Sequence, residues 1–135
     1  MNIAVIGANG NLGKSIVEMA VKQGLNVKAF DYVGGDSIIQ KSLFDLTKED
    51  LKNVDVVISA YGSGLKSDPT LNKKAFEKYI ELLDHTSMYL ITIAGAGSLY
   101  CDNTHTLFEY QLDSHPAKLK AISHQICLGV DQLQK

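Results

Sequence analysis

Between residues 7 and 13 the chain reads Gly7-Ala8-Asn9-Gly10-Asn11-Leu12-Gly13, three glycines separated by two residues each. Each glycine has its own use if a strand runs into a helix there. Gly7 lets the chain leave the strand in a tight turn, Gly10 removes a side chain where an anion approaches the backbone, and Gly13 lets the helix pack closely on the strand. The unpaired N–H groups and the dipole of the helix start then attract a pyrophosphate, and a nicotinamide dinucleotide carries one. A glycine triplet alone says little, but the apolar run Ile3 to Ile6 before it and an amphipathic stretch after it supply the required context. Asp31 is the second candidate, closing Val27-Lys28-Ala29-Phe30 eighteen residues after Gly13. A carboxylate there can accept hydrogen bonds from the adenosine ribose hydroxyls and repels a 2′-phosphate, which favours NAD(H) over NADP(H). A purely structural glycine turn and a solvated aspartate at a strand end are the bland readings of the same residues.

Other chemistries fit less well. Ala8 to Ser15 matches a P-loop if its first glycine is relaxed to alanine, with Lys14 and Ser15 meeting phosphate and magnesium. Against this, Gly10 falls where a P-loop needs no glycine, and Lys14 and Ser15 also suit the polar face of a helix. The strand expected at 54–59 ends in serine rather than a magnesium-binding aspartate, although Asp31 could supply one. His85, His105, His115 and His124 have no metal-ligand spacing, and Cys101 with His105 is too little for a site, so no metal is expected and the histidines read as solvated or loop residues. Gly95-Ala96-Gly97-Ser98-Leu99 lacks the GxSxG pattern of a hydrolase elbow.

The elements that must position these residues follow from composition and periodicity. At 135 residues, 45% hydrophobic and 21% charged, the chain suits a single domain over 1–135. A net charge of −2 without long blocks of either sign argues against nucleic acid and anionic membranes as partners. Apolar runs are strand-sized and no signal sequence opens the chain, so a soluble cytoplasmic protein is expected, with Cys101 and Cys127 as reduced thiols.

Apolar, β-branched runs alternate with helical periodicity, which predicts an α/β Rossmann fold: a doubly wound parallel sheet of about five strands in the order 3-2-1-4-5. The strands are expected at 2–6, 26–30, 38–40, 54–59 and 88–94. The first helix carries the stripe Leu12, Ile16, Val17, Ala20 and Val21, with Gly24 as its left-handed C′ residue. A short helix is expected after Thr47, capped by its hydroxyl and closed by Asp50, and a long one after Asp68-Pro69 with the stripe Leu71, Ala75, Phe76, Tyr79, Ile80 and Leu83. The last helix, Ala117 to Leu133, contains Gly129, and fraying is expected beyond it. Only Asp31 to Ser37 separate the second and third strands, shorter than a usual parallel crossover. Leu99 to Pro116 reads as a polar loop over one edge of the sheet.

With these residues in place, the chain resembles the atypical short-chain dehydrogenase/reductase group that includes NmrA-like proteins, biliverdin/flavin reductases and bacterial NADH-flavin-reductase-like proteins. The resemblance runs from Asn2 to about Leu133, carried by IAVIGANGNLG, by FDLTKEDLKNVDVVISAYGSG from Phe44 to Gly64, and by ITIAGAGSLY from Ile91 to Tyr100. It implies that Gly7, Ala8, Asn9, Gly10, Asn11, Leu12 and Gly13 bind pyrophosphate, that Asp31 and Tyr32 flank the adenosine ribose, and that Leu43 and Phe44 lie near the adenine. Ala60, Tyr61 and Gly62 would run beneath the cofactor, and Gly95, Ala96, Gly97 and Ser98 would lie near the nicotinamide.

The departures also matter. Tyr32 stands where the branch often has arginine, Lys41-Ser42 where it tends to have Gly-Asp, and no Tyr-x-x-x-Lys pair follows, since Tyr100 leads to Thr104 and Tyr110 to Ser114. Relatives continue for about a third of their length past the last helix, adding a sixth strand and most of the substrate-side wall. Two functions therefore stay open. One is an NADH-dependent reductase passing hydride from the nicotinamide to a flavin or similar flat acceptor, with Ser98 orienting the carboxamide or the acceptor. The other is a non-catalytic, NmrA-type dinucleotide sensor. The fifth strand, left as an edge, is expected to be covered by a second copy in a homodimer or by the folded-back Leu99 to Pro116 loop.

Overall fold

The computed structural model describes residues 1–134. Five parallel strands form one sheet, and the chain divides into two units, the first holding Met1–Gly62 with Lys78–Ile93 and the second Ser63–Glu77 with the chain from Ala94 onward.

In the first unit, β1 (Asn2–Ile6), β2 (Asn26–Asp31), β3 (Ile38–Gln40), β4 (Val56–Ser59) and β5 (Tyr89–Thr92) lie in the order β3-β2-β1-β4-β5. This is the expected order. β1 is central: Ile3 to Ile6 pair with Val27 to Phe30 on one side and with Val56 to Ser59 on the other. Its residues Ile3, Ala4, Val5 and Ile6 are all buried, as a strand covered on both faces requires. The fourth and fifth strands are shorter than the runs 54–59 and 88–94, because pairing spans only Val56↔Tyr89 to Ser59↔Thr92. The short β2–β3 connection is accommodated because β3 is only three residues long. Ile38 pairs back to Ala29, so the chain retraces only about 7 Å from the end of β2, two residue rises, which six residues cover without a helix. Ser37, in the left-handed region at φ 60°, and the bond from Ile38 N–H to Gly35 O make that reversal.

Helix α1 (Asn11–Lys22) turns Gly13, Ile16, Val17 and Ala20 inward. Leu12 and Val21, expected in the same stripe, are 46% and 60% exposed: the close approach at Gly13 sets which side faces the sheet and rotates both outward. Gly24, at φ +74°, is the C′ residue, its N–H donating to Val21 O while Leu25 N–H reaches Ala20 O, a Schellman closure.

No helix follows Thr47. Successive turns join Thr47 to Val54, and Asp50 Oδ2 accepts from both the N–H and the hydroxyl of Thr47, so the threonine donates where it was expected to cap. A single 3-10 turn, Leu43–Asp45, precedes it.

Helix α2 (Thr70–Leu83) is capped by Asp68, whose Oδ1 accepts the N–H of Thr70 at 2.9 Å. Its C-terminal part, in the first unit, buries Tyr79 and Leu82, whereas Ile80 is exposed, one step out of the expected stripe. Its N-terminal part, in the second unit, buries Asn72, Ala75 and Phe76. There, α3 (Ala117–Leu133) has the expected bounds, and it does not fray after Gly129. A Cβ at Gly129 would lie 2.6 Å from Phe76 Cγ, so the glycine is a packing requirement that outweighs its cost in helix propensity.

Candidate functional site

In an open parallel sheet, ligands bind beyond the carboxyl ends of the strands where the strand order reverses. Here that point lies between β1 and β4, and the segments leaving those strands are Gly7 to Gly13 and Ala60 to Gly62. The three glycines differ in what they require. Gly7 sits at φ +83°, and a Cβ on it would lie 2.8 Å from Ala60 O. A Cβ on Gly13 would run into Gly7 O and lie 2.8 Å from Ala8 Cα, so α1 reaches the turn only because residue 13 has no side chain. Gly10 is exposed, and its nearest neighbour for a Cβ is Gly7 O at 3.4 Å, an ordinary contact. The protein's own packing therefore demands glycine at 7 and 13 and not at 10.

The hydrogen bonds of the turn are divided in the same way. Gly7 and Ala8 N–H both donate to Phe30 O at 3.0 and 3.1 Å, Gly10 N–H donates to Gly7 O at 3.2 Å, and Lys14 N–H to Gly10 O opens the helical ladder. The N–H groups of Asn11, Leu12 and Gly13 are the helix-start donors that no intrahelical carbonyl reaches. No acidic side chain occupies the first turn of α1, so nothing there competes with an anion.

Asp31 is buried, 8% exposed, and both its oxygens are engaged: Oδ2 accepts Asn9 N–H at 2.9 Å and Oδ1 accepts Val33 N–H at 3.1 Å. Tyr32 beside it is 74% exposed. Of the two residues expected near an adenine, Leu43 is in the core and Phe44 faces outward, its ring edge-on to Tyr61 at 5.8 Å. Partial burial pushes the Tyr61 hydroxyl above the ordinary tyrosine range. Below the site, Ser59 Oγ and Tyr79 Oη share a 2.5 Å hydrogen bond in the core, and burial raises the Tyr79 hydroxyl further still. That pair satisfies the one polar side chain of β4.

The P-loop alternative loses its parts in this geometry. Ser15 Oγ donates back to Asn11 O at 3.2 Å, Lys14 is exposed on the outer face of α1, and Ser59 is bound to Tyr79.

In the second unit, Gly95 to Ser98 form a 3-10 turn in which Ser98 Oγ donates to Gly95 O at 2.7 Å. The hydroxyl proposed to orient a ligand thus already caps its own turn. Gly97 lies against Ser123 and His115, where a Cβ would be 2.6 Å from Ser123 Oγ, and Cys127 Sγ reaches Gly97 O at 3.6 Å. His115, expected to be solvated, is buried. Its Nε2 lies 3.1 Å from Ser123 Oγ, and its Nδ1 lies 2.6 Å from the buried Glu109 Oε2, in a contact not aligned as a hydrogen bond. Spacings of six and eight residues across a turn and a helix start carry no periodic signal, which is why this cluster was missed. Tyr100, Phe108, Tyr110 and His124 form one row of stacked rings, with His105 tilted against Tyr100 at its end, again invisible in the spacing. Both cysteines are free, Cys101 exposed and Cys127 buried, and burial pushes the Cys127 thiol up to about 11. Among the described residues no three metal-ligating side chains gather, and no helix is long and apolar enough to cross a membrane.

The strand order, with a glycine turn at the point where it reverses, defines a Rossmann-type α/β fold. No family model matches the chain. It is 39% identical to a solved structure described as "a putative NADH-flavin reductase" from Streptococcus pneumoniae, with a TM-score of 0.89 over 99% of this chain and 66% of that one. It is also 34% identical over 113 residues to the uncharacterised protein YwnB of Bacillus subtilis, covering 78% of this chain and 53% of YwnB. A short-chain dehydrogenase/reductase superfamily protein from Agrobacterium tumefaciens, solved with bound NAD, shares the fold at 18% identity and a TM-score of 0.72, over 99% of this chain and 44% of that one. The chain is thus similar to a protein described as an NADH-flavin reductase, as the resemblance implied, and spans about half the length of YwnB and 66% of the streptococcal protein.

Proposed function

We propose that the protein binds a nicotinamide dinucleotide, NADH ahead of NADPH, at the switch point between β1 and β4, and serves as an NADH-dependent reductase of a flavin or similar flat acceptor. The observation that carries this reading is the division among the glycines. Residues 7 and 13 are glycine for the protein's own packing, while the exposed Gly10 is explained by a ligand that must approach the backbone beside the free donors of Asn11, Leu12 and Gly13.

In this reading Gly10 to Gly13 hold the pyrophosphate, Tyr32 and Phe44 border the adenosine, and Ala60 to Gly62 form the floor. When bound, the dinucleotide supplies a hydride and the flavin takes up hydride and a proton from water. The chain's own part is to bind and orient, since no Tyr-x-x-x-Lys pair provides a protein acid. NADH is preferred on charge. Tyr32 and Val33 carry none, and Lys41 at the end of β3 gives its ammonium to Asp50 at 2.7 Å, which leaves Asp31 to repel a 2′-phosphate. The NmrA-type sensor reading keeps the same site without turnover, and an assay of NADH oxidation with added flavin separates the two.

A thermal-shift panel tests the binding itself. NADH at a hundredfold excess over its Kd should stabilise the chain by about 2.7 kcal/mol, and ATP with magnesium should not. Gly10→Val should fold normally and lose the NADH shift. A folded variant with the full shift would remove the reading.

A further inference from the structure

We propose that Asp31 is a positioning residue, which shapes the phosphate cradle through the backbone of the glycine turn instead of reading the ribose hydroxyls. The proposal rests on the dinucleotide-binding reading above.

The end of β2 presents a row of acceptors to the first half of the turn. Phe30 O takes the N–H groups of Gly7 and Ala8, Asp31 Oδ2 takes that of Asn9, and Val33 O takes the Asn9 side-chain amide at 2.7 Å. Asp31 Oδ1 closes the loop by holding Val33 N–H. One buried carboxylate thus ties together the two segments that face each other across the turn. Bonds from N–H groups to an ionised carboxylate are roughly twice as strong as neutral ones, which makes this tie a firm fastening of the loop.

Two consequences follow for an anion. The donors of Gly7, Ala8 and Asn9 are committed to β2, which leaves Asn11, Leu12 and Gly13 as the set held by no protein acceptor. The charge of Asp31 lies on the Asn9 side of the turn and repels phosphate from it, reinforcing the same placement. The carboxylate already holds one N–H on each oxygen and is 8% exposed, which is the environment of a structural anchor more than of a ribose acceptor.

The test uses the full chain with ADP and 2′-deoxy-ADP, two ligands that share the diphosphate and differ only at the ribose hydroxyl. Wild type should bind both within about twofold, and Asp31→Ala should weaken both alike, by about tenfold. Asp31→Asn, which keeps the shape and one good acceptor, should fall between. Without ligand, the Asn9 and Val33 amides should exchange with solvent faster in Asp31→Ala, while the amides of Ile3 to Ile6 keep their rates; a general loss of stability would move both sets. A wild-type preference of tenfold for ADP that Asp31→Ala erases would overturn the proposal in favour of ribose reading. Unchanged affinities or unchanged Asn9 exchange in Asp31→Ala would overturn it outright. A wild-type chain that binds neither ADP nor NADH overturns the dinucleotide reading, an outcome distinct from binding that Asp31→Ala leaves untouched.

Discussion

Tyr32 ends the run from β2 into the loop with its side chain in solvent, beside a carboxylate committed to the turn. On the proposed dinucleotide reading it is the position at which the adenosine end would be read without disturbing the fold. Tyr32→Arg places a guanidinium where a 2′-phosphate would lie, and a new charge-assisted pair of about 1.5–3 kcal/mol should raise NADPH affinity by roughly tenfold or more. NADH affinity should stay within about twofold, and parallel titrations with the two cofactors check both numbers. Asp50 illustrates a charge used for structure. The Lys41 ammonium above all, with the N–H and hydroxyl of Thr47, holds its carboxyl down to about 2 against the opposing effect of burial. Its folded pKa lies below the ordinary 3.8, so the stabilisation is present above that value and lost as pH falls toward 2. Lys41→Ala should shift acid unfolding to higher pH, as read by circular dichroism across a pH series.

At the level of elements, the approach of α1 to the turn after β1 is the tightest fit in the candidate site. A methyl at residue 13 meets backbone, Gly7 O and Ala8 Cα, and backbone has nowhere to move without shifting the helix. Gly13→Ala should destabilise the fold by about 3 kcal/mol, an overpacking cost, while Gly10→Ala changes stability by less than about 0.5 kcal/mol. Urea denaturation of the two variants side by side checks the contrast. Reversal of the order would mean that the spacing of the glycines has another cause. The segment 47–53 shows how short elements escape pattern reading. Thr47 and Asp50 suit a helical start, but Lys41, remote in sequence, draws the Asp50 carboxylate into an ion pair and the chain settles into turns.

For the molecule as a whole, β5 is the outer strand of the sheet: it pairs with β4, and among the described residues no strand pairs with its other side. Its Tyr89 and Ile91, on one face, are exposed, Ile91 at 52%, as is Ile93 just beyond the strand. An apolar edge strand without lysine or proline is a template for pairing with another chain. Self-association along this edge is the expected outcome, and light scattering across a concentration series measures it. Ile91→Lys, which introduces the charge that edge strands normally carry, should shift the population to monomer. Concentration-independent monomer in the wild type would show that the edge is tolerated as it stands.

What the sequence determined by itself was what short-range rules govern. The parallel order of the strands, the bounds of the last helix, the C′ role of Gly24 and the packing duties of Gly7 and Gly13 all follow from periodicity and from the steric needs of a single turn. What only the tertiary structure decided depends on partners distant along the chain. Asp31 occurs where a ribose-binding acid belongs, but its carboxylate meets Asn9, twenty-two residues earlier. Gly129 looks like a weak point in a helix until Phe76 is seen to need the space. His115 is polar by type, yet it lies in the interior, with Nε2 at Ser123 Oγ and Nδ1 close to Glu109. A residue's type limits the bonds it can make, and the fold chooses among them by bringing one particular acceptor or ring within reach.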